Sequence, residues 1–337
     1  MKIVTLEEHY LDVAVARASA PAAQALSPHF AASFAADSGL PYSPSAEVLR
    51  DLGEGRIADM DRHGITMQVL SSLSTQQLPA DVAADLVRTT NDTLADAVRR
   101  HPDRFAAFAA LPTSVPEAAA AELERCVGEL GFVGTMIMGR TEDEFLSAPR
   151  FDPILRAAAA LRVPIYLHPG VPPQATSASN YEGLDPLVTA RFQTAAWGWH
   201  QETAVHFLQL VLGGVFDRYP DLQVILGHWG ELVPFYLDRL DEALPQRVTE
   251  LERSIGDYVR QNAYVTPSGM FSHAQLRYCV DVLGADRIMY SVDYPFIGNE
   301  SAVDFLDKAD LPEAAKEGIA HRTAERLLGL PQDSKVR

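Results

Sequence analysis

The sequence has few cysteines and no long run of hydrophobic residues. Cys126 and Cys279 are the only cysteines in 337 residues, so a disulfide framework does not stabilise the chain and a reducing compartment is expected. No apolar run approaches the roughly 18 residues of a membrane span. Glu7 and Glu8 occupy the place where a secretion signal needs its apolar segment. These absences predict a cytoplasmic protein that does not enter a membrane.

Positive charge is also scarce. The chain has 28 Lys and Arg residues against 45 Asp and Glu residues, a formal net charge of −17. The resulting negative field repels phosphate backbones and anionic lipid surfaces, which argues against nucleic acid or membrane partners. A small carboxylic acid is repelled at long range too. Such a substrate therefore needs a local cluster of arginine or metal charge.

Short apolar runs rich in β-branched residues alternate with stretches of helical periodicity. This pattern is typical of repeated βα units with a parallel sheet, and no glycine-rich phosphate fingerprint follows the first strand. Eight strands fit a (β/α)8 TIM barrel better than an open sheet, and no linker divides the domain 1–337. The predicted strands are Ile3–His9, Met67–Ser72, Phe105–Leu111, Phe132–Met138, Pro164–His168, Gln223–Gly227, Ala263–Thr266 and Ile288–Asp293.

Two connections are too long to be simple joints. They span residues 10–53 after the first strand and 169–192 after the fifth. Loops that follow barrel strands lie on the catalytic face, so both are candidate substrate lids. For the first, surface decoration or an oligomer contact is an equal alternative, because its Ala-rich segments could form small helices.

Residues that can bind a metal stand at the ends of several predicted strands. Glu7 and His9 are spaced to share one face of the first strand. His168 ends the fifth strand, His228 follows the sixth and Asp293 ends the eighth. All would meet at the C-terminal rim of the barrel as mixed nitrogen and oxygen donors.

The remaining histidines lack this context. His63 and His101 stand at apparent helix ends, and His200 and His206 lie on or beside one helix. We expect them to be structural, because a single histidine is weak evidence for chemistry.

The sequence resembles the amidohydrolase-2 group of the amidohydrolase superfamily over nearly its whole length, and especially the non-oxidative decarboxylases of aromatic acids. The segment that leads into the sixth strand is the most specific. The resemblance is carried by Leu6–His9, Asn91–Leu94, His101–Phe105, Leu167–Pro169, Trp197–Thr203, and Gly213–Leu222 leading to Leu226–Glu231.

The resemblance implies a metal-dependent decarboxylase of a hydroxylated aromatic or related unsaturated carboxylic acid, with one divalent metal ion. Zn²⁺ is favoured, with Mn²⁺ or Co²⁺ possible. A homodimer or homotetramer is implied as well. The implied metal ligands are Glu7, His9, His168 and Asp293, the implied catalytic residues are Asp293, His228 and Glu231, and Arg239 matches an arginine near the substrate.

One position departs from the family pattern. Met138 stands near the place where related decarboxylases have an asparagine that contacts the substrate, and a thioether cannot replace the hydrogen bonds of an amide. Tyr10 and Phe296, close to metal ligands in sequence, are further candidates for the substrate pocket.

Two other functions stay open. Glu7-x-His9 replaces the His-x-His of many related hydrolases, and no lysine stands at the end of the fourth strand to bridge two metals. The mononuclear site that follows could still activate water, so a hydrolase of a lactone, ester or amide is the alternative. A catalytically silent barrel that serves as a binding module is the third reading, against which the intact ligand set argues.

Overall fold

The barrel strands form two parallel sheets. The computed structural model describes residues 1–33, 35 and 43–331. One sheet has the order β1-β2-β3 and the other β4-β5-β6-β7. The strands are β1 Val4–Tyr10, β2 Met67–Ser72, β3 Phe105–Ala107, β4 Thr135–Met138, β5 Ile165–His168, β6 Val224–Leu226 and β7 Ala263–Val265.

Single bridges join the two sheets into a closed ring. Ala109 pairs with Thr135 between β3 and β4. The segment predicted as the eighth strand closes the other gap, because its Ile288 pairs with Val265 of β7 and its Ser291 with Leu6 of β1. The (β/α)8 barrel predicted from the sequence is thus confirmed. The third strand is shorter than predicted because pairing beyond Ala107 is reduced to that single bridge.

The core has two layers, which follow from the alternation of side chains along each strand. The inner layer fills the barrel with residues such as Leu6, Val69, Phe108 and Tyr166. The outer layer packs the opposite strand faces, such as that of Val224, against the surrounding helices. The interior is therefore filled with side chains, as in other barrels of this size, and the rim is left for chemistry.

A β-bulge redirects β1 just before the rim. Thr5 pairs with Gln68 and Glu8 with Leu70, so Leu6 and Glu7 together oppose Val69 alone. Glu7 has a left-handed φ of 68°. Leu6 points into the barrel, and the extra residue turns Glu7 inward as well, which strict alternation would forbid. His9, two residues later, then shares that inward face.

The helices surround the barrel. Gly198–Leu212 and Val215–Arg218 are separate helices, because Gly213 ends the first and Gly214 has a φ of 66°. No described helix is both long and apolar enough to cross a bilayer. The helices are Val13–Leu26, Phe30–Ser33, Ala46–Arg50, Glu54–Arg62, Ala80–Arg100, Pro116–Gly128, Asp152–Leu161, Gln174–Asn180, Pro186–Gln193, Gly198–Leu212, Val215–Arg218, Leu237–Ala243, Gln246–Thr249, Ile255–Asn262, His273–Leu283, Ala302–Asp307, Glu313–Glu317 and Thr323–Leu328, with a short turn at His228–Glu231 and a π-helical turn at Gly318–Arg322.

The two long connections pack on each other. The Arg191 guanidinium donates to the Ser33 carbonyl at 3.0 and 2.7 Å, and the Gln193 amide donates to the Leu26 carbonyl at 2.9 Å. A cavity of about 260 Å³ lies between them. Residues 34 and 36–42 of the first candidate lid lie outside the described residues. The lid roles of both connections stay predictions.

Candidate active site

Four metal-type side chains gather at the rim of the barrel. One potential ligand atom from each of Glu7, His9, His168 and Asp293 lies within 4.8 Å of the others. His9 Nε2 is 3.0 Å from Asp293 Oδ1, and His168 Nε2 is 3.4 Å from Glu7 Oε1. β1, β5 and the closing segment Ile288–Asp293 supply these residues. The sequence-based expectation that they meet holds in the structure, and we call them the metal quartet.

Three hydroxyl groups hold one oxygen of Glu7. Oε2 accepts hydrogen bonds from Tyr166 and Ser268, and Ser291 Oγ lies 3.4 Å from it. Oε1 is buried and has no hydrogen-bond partner among the described residues. Burial raises the pKa of this carboxyl group, so a cation beside Oε1 would favour the charged form. These hydroxyls come from β5, from the loop after β7 and from the closing segment Ile288–Asp293, and no sequence motif marks them.

Both histidines of the quartet are oriented by their Nδ1 atoms. His168 Nδ1 lies 2.8 Å from the Pro169 carbonyl oxygen. A carbonyl only accepts, so Nδ1 carries the proton and the Nε2 lone pair is free for a cation. Burial holds the pKa of His168 well below its usual range, which keeps the ring neutral. His9 Nδ1 lies 3.0 Å from Ser71 Oγ, and such contacts fix ligand geometry in metal sites.

A second group, which we call the Glu231 triad, lies beside the quartet. The carboxylate of Glu231 holds His228 Nδ1 on one oxygen and His200 Nδ1 on the other, each at 2.8 Å. Burial opposes the charged form of His228, but the Glu231 and Glu7 carboxylates outweigh it and raise the pKa of His228 to about 9. Contact with the Glu231 carboxylate thus favours the imidazolium form of His228, which is suited to stabilise negative charge that develops on a substrate.

The sequence predicts a structural role for His200, but the structure places its ring against Glu231 at the site. His200 lies in the first turn of the helix Gly198–Leu212. In a barrel, the helix after a strand begins at the catalytic face, so a first-turn residue lies near the rim. That position was the available signal. His206, two turns further along, is structural as expected: its Nε2 accepts from the Leu146 amide at 3.0 Å.

The residues that place His228 and Glu231 form a left-handed turn. From His228 to Leu232, five consecutive residues have φ between 47° and 82°. Each non-glycine residue there costs roughly 1 kcal/mol or more. The turn is anchored by Trp229, which donates from its amide to the Thr266 carbonyl at 2.8 Å and from its indole to the Met270 carbonyl at 2.7 Å. Backbone strain at this turn sets the direction of both side chains.

Glu8 and Arg56 hold the backbone that carries two residues of the quartet, Asp293 and His9. Glu8 accepts hydrogen bonds from the Val292 and Tyr294 amides at 3.1 and 3.2 Å, which ties β1 to the segment that carries Asp293. Burial raises the pKa of Glu8 to about 8. The buried Arg56 donates to the carbonyl oxygen of His9 at 2.5 Å. No sequence motif predicts a role at the site for either residue.

The predicted substrate residues occupy different places. Phe296 contacts His9, with ring centroids 5.7 Å apart, and Met138 pairs with His168 across β4 and β5. Both therefore border the quartet. Tyr10 instead packs in the outer core layer, because it follows His9 and points the opposite way. Arg239 is 70% exposed and pairs with Glu242, so the single chain does not bring it to the quartet.

The metal quartet fits a divalent cation. It offers two imidazole nitrogens and two carboxylates, a donor set typical of Zn²⁺ or Mn²⁺. The unpartnered Oε1 of Glu7 is the clearest sign, because a buried carboxylate oxygen without a partner is costly unless a cation or proton pairs with it. This geometry supports a site for one divalent metal ion.

A family model described as amidohydrolase matches residues 29–330. The chain belongs to the amidohydrolase family. Decarboxylase orsB from Emericella nidulans is 36% identical over 97% of this amidohydrolase and 96% of its own length. Gamma-resorcylate decarboxylase from Polaromonas sp. is 39% identical over 84% of this chain and 89% of its own length. These findings confirm the resemblance seen in the sequence.

A solved structure agrees with the fold. The 5-carboxyvanillate decarboxylase of Novosphingobium aromaticivorans, complexed with manganese and 4-hydroxy-3-methoxy-5-nitrobenzoic acid, is 32% identical to this amidohydrolase. The two superpose with a TM-score of 0.86 over 98% of this chain and 96% of that one. A manganese-bound relative is consistent with a single divalent metal in the quartet.

Proposed function

We propose that this amidohydrolase is a metal-dependent, non-oxidative decarboxylase of a hydroxylated aromatic carboxylic acid. The observation that carries the proposal is the metal quartet with the cationic His228 beside it. With a divalent ion held by the quartet, the two would provide the local positive charge that an anionic substrate needs on a chain of net charge −17. Relatives with this activity, similar over most of the chain, support the choice of reaction.

Each residue of the site has a distinct part in the proposed reaction. When bound by Glu7, His9, His168 and Asp293, the metal supplies Lewis acidity and a template for the substrate oxygens. Asp293 acts as a proton shuttle, which takes up a proton from the substrate or solvent and delivers it to the ring carbon that carries the carboxylate. The bond from that carbon to the carboxyl carbon then breaks, its electron pair returns to the ring, and CO₂ leaves.

His228 and the apolar residues hold the substrate for this step. The His228 imidazolium, oriented by Glu231, donates a hydrogen bond to a substrate oxygen and stabilises the charge that develops during protonation of the ring. Phe296 and Met138 border the ring and exclude water. Because Met138 offers no amide, we propose a ring whose substituents differ from those of a simple dihydroxybenzoate.

The identity of the metal belongs to the proposal. Zn²⁺ is expected from two imidazoles with two carboxylates, and Mn²⁺ is the second candidate because a related structure contains it. Metal analysis of the protein purified without added metal, followed by reconstitution of the metal-stripped protein with each ion, distinguishes them.

The test of function uses two substrate panels. The metal-loaded enzyme is incubated with hydroxybenzoates that carry varied ring substituents, and separately with lactones, esters and amides. Release of CO₂ from a hydroxybenzoate is the expected result. Appearance of a hydrolysed acid instead would establish the hydrolase alternative. No turnover in either panel, together with a protein that binds neither added Zn²⁺ nor added Mn²⁺, would favour a silent barrel.

The Asp293→Asn variant tests the proton donor. We expect it to lower kcat by about 10²- to 10⁴-fold, the usual range for loss of general acid catalysis. Asp304→Asn is the matched control, because Asp304 is exposed and pairs with Lys308. Wild-type turnover by Asp293→Asn would refute the assigned role.

Assembly, location and the wider pocket remain predictions. We propose a homodimer or homotetramer and a cytoplasmic location, as expected from the sequence, and one domain over residues 1–337. Roles for Arg239 and Tyr10 in substrate binding would require a change from the positions described above, such as a neighbouring copy that brings Arg239 to the site. Light scattering tests the proposed assembly, and substrate kinetics of the Arg239→Ala variant test the role of Arg239.

A further inference from the structure

We infer that His200 is a positioning residue that fixes the Glu231 carboxylate and, through it, His228. This inference rests on the proposed function only for its kinetic consequences. The observation behind it is the arrangement of the Glu231 triad: one buried carboxylate with a histidine Nδ1 at 2.8 Å from each of its two oxygens.

A carboxylate held on one oxygen can rotate about its terminal bond, whereas one held on both cannot. Glu231 is almost fully buried and stands in the strained left-handed turn. Its backbone therefore sits in a conformation that the side-chain contacts must help to maintain. The rings of His200 and His228 lie edge to face with centroids 4.4 Å apart. His200 thus limits both the torsion of Glu231 and the space open to His228.

The tautomer of His200 is fixed by its other neighbours. The Trp199 indole, which can only donate, lies 3.1 Å from His200 Nε2. Nε2 is then the acceptor, and Nδ1 carries the proton that is donated to Glu231. The Ala195 carbonyl oxygen also lies 3.1 Å from Nε2 and could accept from it only in the imidazolium form. In both protonation states, Nδ1 donates to the carboxylate.

The three residues of the Glu231 triad therefore have different roles. His228 touches the substrate, Glu231 orients His228, and His200 orients Glu231 from the helix Gly198–Leu212. Loss of the His200 donor should leave substrate binding by the metal quartet intact and weaken the stabilisation of the transition state. The expected signature is a lower kcat with little change in KM.

Two variants of His200 test this role. His200→Ala removes the donor, and we expect kcat to fall by about 10- to 30-fold with KM within about twofold, in line with the loss of one hydrogen bond to a charged group. His200→Asn carries an amide N–H near the place of Nδ1 and should recover kcat to within about threefold of wild type. Equal kcat in wild type and His200→Ala, or failure of Asn to recover it, overturns the inference.

His206→Gln is the matched control on the same helix. Gln can still accept from the Leu146 amide, and no hydrogen bond between His206 and Glu231 is found among the described residues. We expect its kcat to match that of wild type. A loss equal to that of His200→Ala would mean that any change in this helix disturbs the site, and the inference would be wrong.

An NMR experiment, which does not require enzymatic activity, separates this inference from the proposed function. In protein labelled with ¹⁵N-histidine, the Nδ1–H protons of His200 and His228 should give two downfield resonances in wild type. His200→Ala should lose one and shift the other, while His206→Gln leaves both unchanged. If no substrate is turned over but this pattern is seen, the positioning role stands and the proposed function fails. An unshifted His228 resonance in His200→Ala refutes the positioning role whatever the activity.

Discussion

At the scale of single residues, the site depends on hydroxyl groups that hold Glu7. Tyr166 is fully buried inside the barrel, and its hydroxyl donates to Glu7 Oε2 while it also contacts Thr266 at 2.9 Å. Partners of this kind orient a metal ligand without touching the metal. We therefore expect the metal affinity of the quartet to depend partly on residues that are not themselves metal ligands.

The Tyr166→Phe variant should weaken metal binding. We expect a 10- to 100-fold loss of affinity, the usual effect of removing such a partner, measured by competition with a chelator of known affinity. Tyr264→Phe is the control, because Tyr264 also fills the barrel interior and no hydrogen bond of its hydroxyl to Glu7 is among the contacts of the described residues. Equal losses in the two variants would point to packing and not to the hydrogen bond.

His206 gives the protein an acid-sensitive residue away from the site. Burial lowers the pKa of His206 to about 3, while the unfolded value is about 6.5. The unfolded chain therefore binds this proton first as the pH falls. The stabilisation is complete above pH 6.5 and is lost between pH 6.5 and about 3, at about 1.4 kcal/mol per pH unit.

Urea unfolding at pH 7.5 and pH 5.5 measures this dependence. His206→Gln keeps the acceptor for the Leu146 amide but cannot titrate, so its stability should fall less between the two pH values than that of wild type. His29→Gln, at an exposed position, should behave as wild type does. The same slope in wild type and His206→Gln would contradict the assignment.

At the scale of elements, the left-handed turn after β6 decides where the Glu231 triad points. Gly230 has a φ of 82°, and a Cβ there would lie 2.8 Å from Pro234 Cδ and 2.9 Å from a Val265 methyl group. A strained backbone and a steric clash would act together. The turn therefore tolerates only glycine at this position.

Gly230→Ala should destabilise the fold by roughly 2 kcal/mol or more and lower kcat more than it raises KM, because the turn would move His228 and Glu231. Thermal unfolding and steady-state kinetics measure the two effects. Gly128→Ala is the control, since a Cβ there meets no atom within 4 Å, and it should be neutral or stabilising by up to about 1 kcal/mol. An active, stable Gly230→Ala enzyme would contradict the role of the turn.

The bulge in β1 is the second decisive element. The prediction that Glu7 and His9 share a face was right, since both reach the quartet. Leu6 points into the barrel. Strict alternation would therefore have turned Glu7, the next residue, to the outer face of the strand. The extra residue of the bulge allows Leu6 and Glu7 both to point inward. The sequence Leu6–His9 does not predict this bulge, which is defined only by the pairing of β1 with β2.

At the scale of the whole molecule, metal binding and folding stability are linked. The quartet brings together residues from the first, fifth and eighth strands, so a bound cation ties together parts of the chain that are distant in sequence. A metal at 100 times its dissociation constant should stabilise the fold by about 2.7 kcal/mol.

Thermal unfolding of the metal-stripped protein, with and without Zn²⁺ or Mn²⁺, tests this linkage. We expect each bound ion to raise Tm and the Glu7→Gln variant to lose most of the gain, because the amide is a poorer ligand than the carboxylate. A similar increase in Glu7→Gln would mean that the stabilising ion binds elsewhere.

The sequence by itself determined the barrel and the gathering of Glu7, His9, His168 and Asp293 at its rim, while their assignment as metal ligands came from the family resemblance. Runs of β-branched residues that alternate with helical stretches predicted the strands. Because all strands of a barrel are parallel, metal-binding residues at their C-terminal ends must meet at one rim. These are local or topological properties, and a pattern along the chain is sufficient to predict them.

Only the tertiary structure decided which side chains contact the metal quartet and the Glu231 triad. The hydroxyls around Glu7, the place of His200 on the second oxygen of Glu231, the outward packing of Tyr10 and the surface position of Arg239 depend on side-chain directions across elements far apart in the chain. A bulge at Glu7 and left-handed backbone from His228 to Leu232 set several of those directions. Such conformations are held by tertiary contacts against local preference, and for that reason the sequence does not reveal them.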